Sequence, residues 1–426
     1  MCEGVHRLLL CLVLLAPFTP TLPAYSVLTH EAIIDSSWDP SIKPLLLKRF
    51  PQATPEQLVE AHAYTYAGSI IQDMGYYPFG SKFFSDLLHY VRSGDYIVNL
   101  IRESQDLNEY AFALGSLAHY AADLNGHAIA VNQSVPIEFP KLRRKYGKVV
   151  TYEDDPTAHL EVEFGFDVLQ VARGNYAPQA YHDFIGFKVS KELVERAFRD
   201  TYGLELKDVF KSLDLAIGTY RHTVSAIIPE MTRVAWNLKK KDLVKATPGM
   251  TRRKFIYNLS RASYHKEWDG DYERPGIGTR ILAFFIRILP KIGPLRSLAF
   301  KPPTPATDKL FQDSFDHTMD AYRTLLKEQD ARQLQLANRD FDTGKPTAPG
   351  EYRMADNAYS KLAEKLADRD PGTIPADIRE NVLAFFSDLN APYRTKDDPK
   401  EWQATVAAVE KLRSTDAASR EAAPGK

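Results

Sequence analysis

Apolar residues recur every three to four positions over most of this chain, and that period predicts helix. The spacing predicts helices over 55–71, 81–92, 107–131, 157–171, 191–201 and 206–237. Strict alternation joined by tight two-residue turns is absent, and no internal repeat is visible. The fold class that follows is all-α. Lys, Arg and Glu on these segments mark solvated helix faces.

Beyond about residue 240 the pattern changes. Segment 276–301 is strongly apolar, carries Arg280, Arg287, Lys291, Arg296 and Lys301, and has no acid. Pro290 and Pro294 interrupt it, so it is no spanning helix. One reading is an interfacial element, with apolar side chains among lipid tails and cations at the headgroups. The other, blander and preferred, is a helix pair docked on the preceding domain. Residues 302–338 return to helical spacing. A stretch rich in Gly, Pro and Thr, 339–351, is expected to be a linker. Helical segments at 352–367, 374–388 and 399–413 follow within 352–414, and 415–426 is expected to be a disordered tail.

Composition adds a compartment. Residues 1–24 hold His6-Arg7, an apolar run and a Pro-rich stretch ending in Ala24, which reads as a secretory signal peptide. The chain's 2 cysteines, Cys2 and Cys11, both fall inside it, so the mature chain has no disulfide. Export without disulfides suits a secreted or bacterial periplasmic protein. With 426 residues and 44% hydrophobic content there is room for one large domain plus an appendage. A formal net charge of −1 provides no global positive field to gather nucleic acid.

The chemistry concentrates in His119-Tyr-Ala-Ala-Asp123-Leu-Asn-Gly-His127, inside an apolar run that reads as a buried helix. Positions 119, 123 and 127 form one stripe that drifts by about 40° per step. Two imidazoles and a carboxylate on a buried face need partners, and a metal is the simplest common one. On a continuous helix His119 and His127 stand about 12 Å apart. Ligands of one zinc stand only about 3 Å apart. The stripe therefore suggests a cluster, with Asp123 serving two ions. A plain hydrogen-bonded polar stripe is an equal reading at this point.

Other residues add weight. His159 and Glu163 form a second i, i+4 pair. Asp73 ends an apolar helix at a Gly/Pro turn, His89 follows on an apolar face, and His30 lies near the expected mature start. Singly each has a bland explanation, as turn, core or surface residue. His62, His182, His222, His265 and His317 lack ligand-like company and read as structural. The aromatics Tyr64, Tyr66, Tyr76, Tyr77, Phe79, Phe83 and Phe84 around Asp73 read more as core than as a headgroup pocket.

Taken in order, this set resembles the zinc-dependent phospholipase C family. It is also similar, more distantly, to the fungal single-strand-specific nucleases that share its trinuclear zinc site. The match runs from Tyr25, at the family's N-terminal aromatic, through His30, Asp73, His89, His119, Asp123 and His127 to His159 and Glu163, and covers about residues 25–240. The three residues between Asp123 and His127 resemble the N-terminal domain of glycosylphosphatidylinositol-specific phospholipase D; other members have five. Tyr25 replaces a tryptophan, and headgroup-contacting residues do not map onto the chain.

The resemblance implies a multi-helix catalytic domain over 25–240; the helical extension over 241–338 is read from the pattern of the chain itself. It implies three zinc ions. Asp73, His89, His119 and one oxygen of Asp123 would hold the first, and His127, His159 and Glu163 the second. Tyr25 through its amine and carbonyl, with His30 and the other oxygen of Asp123, would hold the third. It implies phospholipid hydrolysis by a zinc-activated water attacking phosphorus, with Asp73 as catalytic base; peripheral membrane contact through 276–301 rests on the composition of that segment alone. The alternative is a zinc-dependent single-strand nuclease or 3'-nucleotidase, with nucleic acid as partner. A non-catalytic zinc-stabilised binding protein is the weakest class.

Overall fold

The computed structural model describes residues 26–176, 186–258, 299–330 and 332–421. Tyr25, the 1–24 segment, His182, His265 and all but the last three residues of 276–301 lie outside them. Helix makes up 74% of the structure, and the described residues contain no sheet, only an isolated bridge between Arg339 and Pro346. The helices that bear on the site are α1 (Val27–Ser37), α2 (Pro55–Gly68), α3 (Lys82–Tyr90), α4 (Leu107–Asn125), α5 (Pro156–Arg173), α6 (Pro305–Asp330), α7 (Arg353–Ala367) and α8 (Pro399–Glu421).

Local chemistry sets several of their ends. Thr54 caps α2 through a reciprocal pair with Gln57, and Pro55 occupies the first turn. Asp106 accepts from the Glu109 amide at 2.8 Å to start α4. Asp155 does the same for α5 from the Ala158 amide at 2.9 Å, and Gly174, at φ +78°, closes that helix in the left-handed region.

Helix α4 is the axis of the molecule and is buried nearly all round. It crosses α2 at two glycines. A Cβ on Gly68 would lie 2.1 Å from the Phe112 carbonyl oxygen, and one on Gly115 would lie 2.1 Å from that of Thr65. Only the missing side chains allow the backbones so close. On another face α6 packs along α4, with the Tyr322 hydroxyl donating to the Leu114 carbonyl at 2.9 Å. Phe311 of α6 stacks near Phe166 of α5 at 4.8 Å.

Four expectations are corrected. The 55–71 helix stops at Gly68, and the chain tightens into a 3-10 turn over Ile71–Tyr76 that carries Asp73. The 107–131 helix is α-helical only to Asn125; a π turn, Gly126–Val131, follows and carries His127. The 339–351 stretch is no free linker. Phe341 is fully buried and Asp340 and Asp342 nearly so, because this segment runs back across α3 and α4. Helix α6 packs in the core around α4, and α8 continues to Glu421, past the expected start of a disordered tail.

Candidate metal centre

The α2–α4 crossing places the Ser69 carbonyl beside α4, one turn beyond Gly115. That carbonyl lies 3.0 Å from Nδ1 of His119. In α3 the Ser85 carbonyl lies 2.8 Å from Nδ1 of His89. A backbone acceptor at Nδ1 fixes the ring and leaves Nε2 facing inward, the outer support that metal-binding histidines use.

The inward atoms converge. Nε2 of His119 is 3.0 Å from Oδ2 of Asp123, and Nε2 of His89 is 3.5 Å from the same oxygen. His89 Nε2 also lies 3.3 Å from Oδ1 of Asp73. The other oxygen of Asp123, Oδ1, lies 3.5 Å from Nε2 of His30, whose ring stacks on His119 at 4.6 Å. Asp123 thus presents one oxygen to His89 and His119 and the other to His30. At the π turn, His127 and His159 meet Glu163, with Nε2–Oε1 separations of 4.0 and 2.7 Å.

Three groups of potential ligand atoms result, each within 4.8 Å: His30, His119 and Asp123; Asp73, His89 and His119; His127, His159 and Glu163. Eight of the nine residues expected from the sequence are therefore brought together, and Tyr25 lies outside the described residues. All eight are almost completely buried.

These side chains fit a cation. The oxygens of Asp73, Asp123 and Glu163 and the Nε2 atoms of His119, His127 and His159 make no well-formed hydrogen bond, although they crowd one another. Buried polar atoms that converge without bonding cost stability unless a shared partner joins them. The donors are imidazole and carboxylate with no thiolate, a set that suits zinc.

The electrostatics point the same way. Burial pushes Glu163 well above its ordinary range, and the negative charges of Asp123 and Asp73 push it further. Burial, then the neighbouring His119, lowers His30 to about 3; burial, then His127, lowers His159 to about 3. Those imidazoles stay neutral, the form that binds metal. Burial opposes protonation of His89, but the carboxylates of Asp123 and Asp73 outweigh it and raise its pKa. A divalent cation would relieve the crowded carboxylates and displace that proton.

Some supporting residues were invisible in the sequence. Asp342 Oδ1 lies 2.9 Å from Nδ1 of His127. Phe341 packs edge-on to His89 at 5.4 Å and donates its amide to the His89 carbonyl at 3.2 Å. Asp167, one turn past Glu163, accepts from the Leu28 amide at 3.0 Å and the Thr29 hydroxyl at 2.6 Å, and so anchors the start of α1 beside His30. The i, i+4, i+8 series 159, 163, 167 was a signal for Asp167. For Asp342 the only hint was a phenylalanine between two acids in a polar stretch.

Two of the histidines read as structural lie away from the cluster. His62 stacks between Trp38 at 3.8 Å and Tyr66 at 4.4 Å, and His317 is exposed on α6. Of the aromatics near Asp73, Tyr66, Tyr77, Phe83 and Phe84 are core, and Phe79 is exposed. No described helix is long and apolar enough to cross a membrane.

Residues 29–212 match the family described as Zinc dependent phospholipase C. No curated protein and no solved structure matches the chain.

Proposed function

The chain belongs to the zinc-dependent phospholipase C family through residues 29–212, and we propose that it is an exported phospholipid phosphodiesterase with a three-zinc centre. The observation that carries this reading is the pair of carboxylate oxygens on Asp123, one toward His89 and His119 and one toward His30. With Asp73 completing the first group and His127, His159 and Glu163 forming another, the residues provide places for three ions when the N-terminal amine joins His30. Zinc, when bound, lowers the pKa of water toward about 7 and stabilises charge on phosphoryl oxygens.

The chain's own residues divide the remaining work. His30 and His159 offer neutral nitrogens. Asp73 is the proposed general base. Burial, only partly offset by His119, raises its pKa in the metal-free site. The apolar, cationic 276–301 segment would supply peripheral contact with the bilayer. Replacing Phe284 and Phe285 with Ser should then lower activity on vesicles and spare short-chain soluble lipids.

The deciding experiment is a side-by-side assay of the zinc-loaded protein on phosphatidylcholine, other phospholipids and single-stranded DNA. Release of phosphorylated headgroup with diacylglycerol is expected. Nucleotide release from DNA, with no headgroup from any lipid, would overturn the lipid reading in favour of the nuclease one.

A further inference from the structure

We propose that Asp342, outside the segment that matches the family, is a positioning residue for the metal centre and acts through His127. The inference rests on the zinc reading above for the identity of the ion. His127 sits on the π turn, where the backbone no longer follows the α-helical stripe, so its ring needs its own support. The support is Asp342 Oδ1, 2.9 Å from Nδ1, with both side chains nearly fully buried. His89 and His119 receive neutral backbone carbonyls from Ser85 and Ser69, within the family segment. His127 receives a carboxylate. The contact is an ion-pair approach, and a carboxylate beside Nδ1 makes Nε2 a better donor to a metal.

Asp342 is itself held from several sides. The hydroxyls of Tyr90 and Tyr352 donate to its Oδ2 at 2.9 and 2.5 Å, and the Asn132 side-chain amide donates to its carbonyl at 2.6 Å. Asp340 shapes the turn by accepting from the amides of Asp342 and Thr343 at 2.8 and 3.3 Å. Gly344, at φ +72°, lets the turn lie against the Leu124 carbonyl, where a Cβ would stand 3.1 Å away. The carboxylate therefore has one position, and in it Nε2 of His127 is turned toward His159 and Glu163.

The test uses the full chain with Asp342→Asn and Asp342→Ala, titrated with zinc against a competing chelator. In Asp342→Ala one of the three ions should bind 10- to 100-fold more weakly while the other two keep wild-type affinity. Asp342→Asn keeps an acceptor for Nδ1 and should recover part of that loss. Cobalt-loaded protein should show altered visible bands for one site only. Far-UV circular dichroism of the metal-free variants should match wild type. Unchanged affinity for all three ions in Asp342→Ala would overturn the inference. So would loss of all ions together with helix content, in both variants, which is the mark of a structural role. A wild-type chain that binds no zinc would instead overturn the reading beneath it.

Discussion

Nδ1 of His119 lies 3.0 Å from the carbonyl oxygen of Ser69, a contact between two helices that only glycines allow to approach so closely. Gly115 lies one turn before His119, and Gly68 directly precedes Ser69. A methyl at Gly115 would meet the Thr65 backbone at 2.1 Å, and backbone cannot rotate away. Gly115→Ala should therefore destabilise the fold by about 1–3 kcal/mol, the usual cost of overpacking. It should also weaken zinc binding, because the Ser69 acceptor moves off His119. Thermal unfolding with and without chelator separates the two effects; an unchanged melting temperature would refute the first.

Asp123→Ala removes both oxygens that face the histidines. Fewer zinc ions per chain are expected by elemental analysis. Metal contributes several kcal/mol to transition-state stabilisation, so activity should fall on the order of a thousandfold. The fall should be the same on lipid and on any nucleic-acid substrate, because the bridge precedes substrate choice. Retention of the full zinc content would show that the two oxygens do not bridge.

Asp167 makes folding stability depend on pH. Burial raises its pKa to about 6, against the opposing bonds from Thr29, Ser26 and Leu28. The folded value lies above the unfolded one. The stability it contributes is therefore fully present below about pH 3.9 and is lost as pH rises through about 6. The loss is on the order of 3 kcal/mol at most, from a shift of about two units. Comparing wild type with Asp167→Asn in chelator, at pH 4 and pH 8, isolates this group. The difference in unfolding free energy should shift against wild type at the higher pH. A pH-independent difference would contradict it.

Export should expose Tyr25. Mass spectrometry of the secreted protein should find Tyr25 first, and that form should carry about one zinc more than a cytosolic form that keeps Met1. The α-amino group, with pKa about 7.7–8, yields its proton to zinc near neutral pH. Equal zinc content in the two forms would remove the amine from the site.

The sequence by itself determined most of the helices and, through the ordered His, Asp and Glu set, the residues that gather in the buried cluster. These depend on short-range rules: the 3.6-residue period, Thr54, Asp106 and Asp155 ahead of their helices, and i, i+4 spacings such as His119–Asp123 and His159–Glu163. The tertiary structure alone decided which oxygen of Asp123 faces which histidine, and that α4 gives way to a π turn at His127. It also decided that the polar 339–351 stretch would deliver Asp342 to that histidine. Gly, Pro and Thr in that stretch forbid a long helix but do not say what it packs against. Its place follows from burying Phe341 against His89 and His119 and from pairing the Asp342 charge with His127, Tyr90 and Tyr352. Such contacts join residues far apart in the chain, and no local period encodes them.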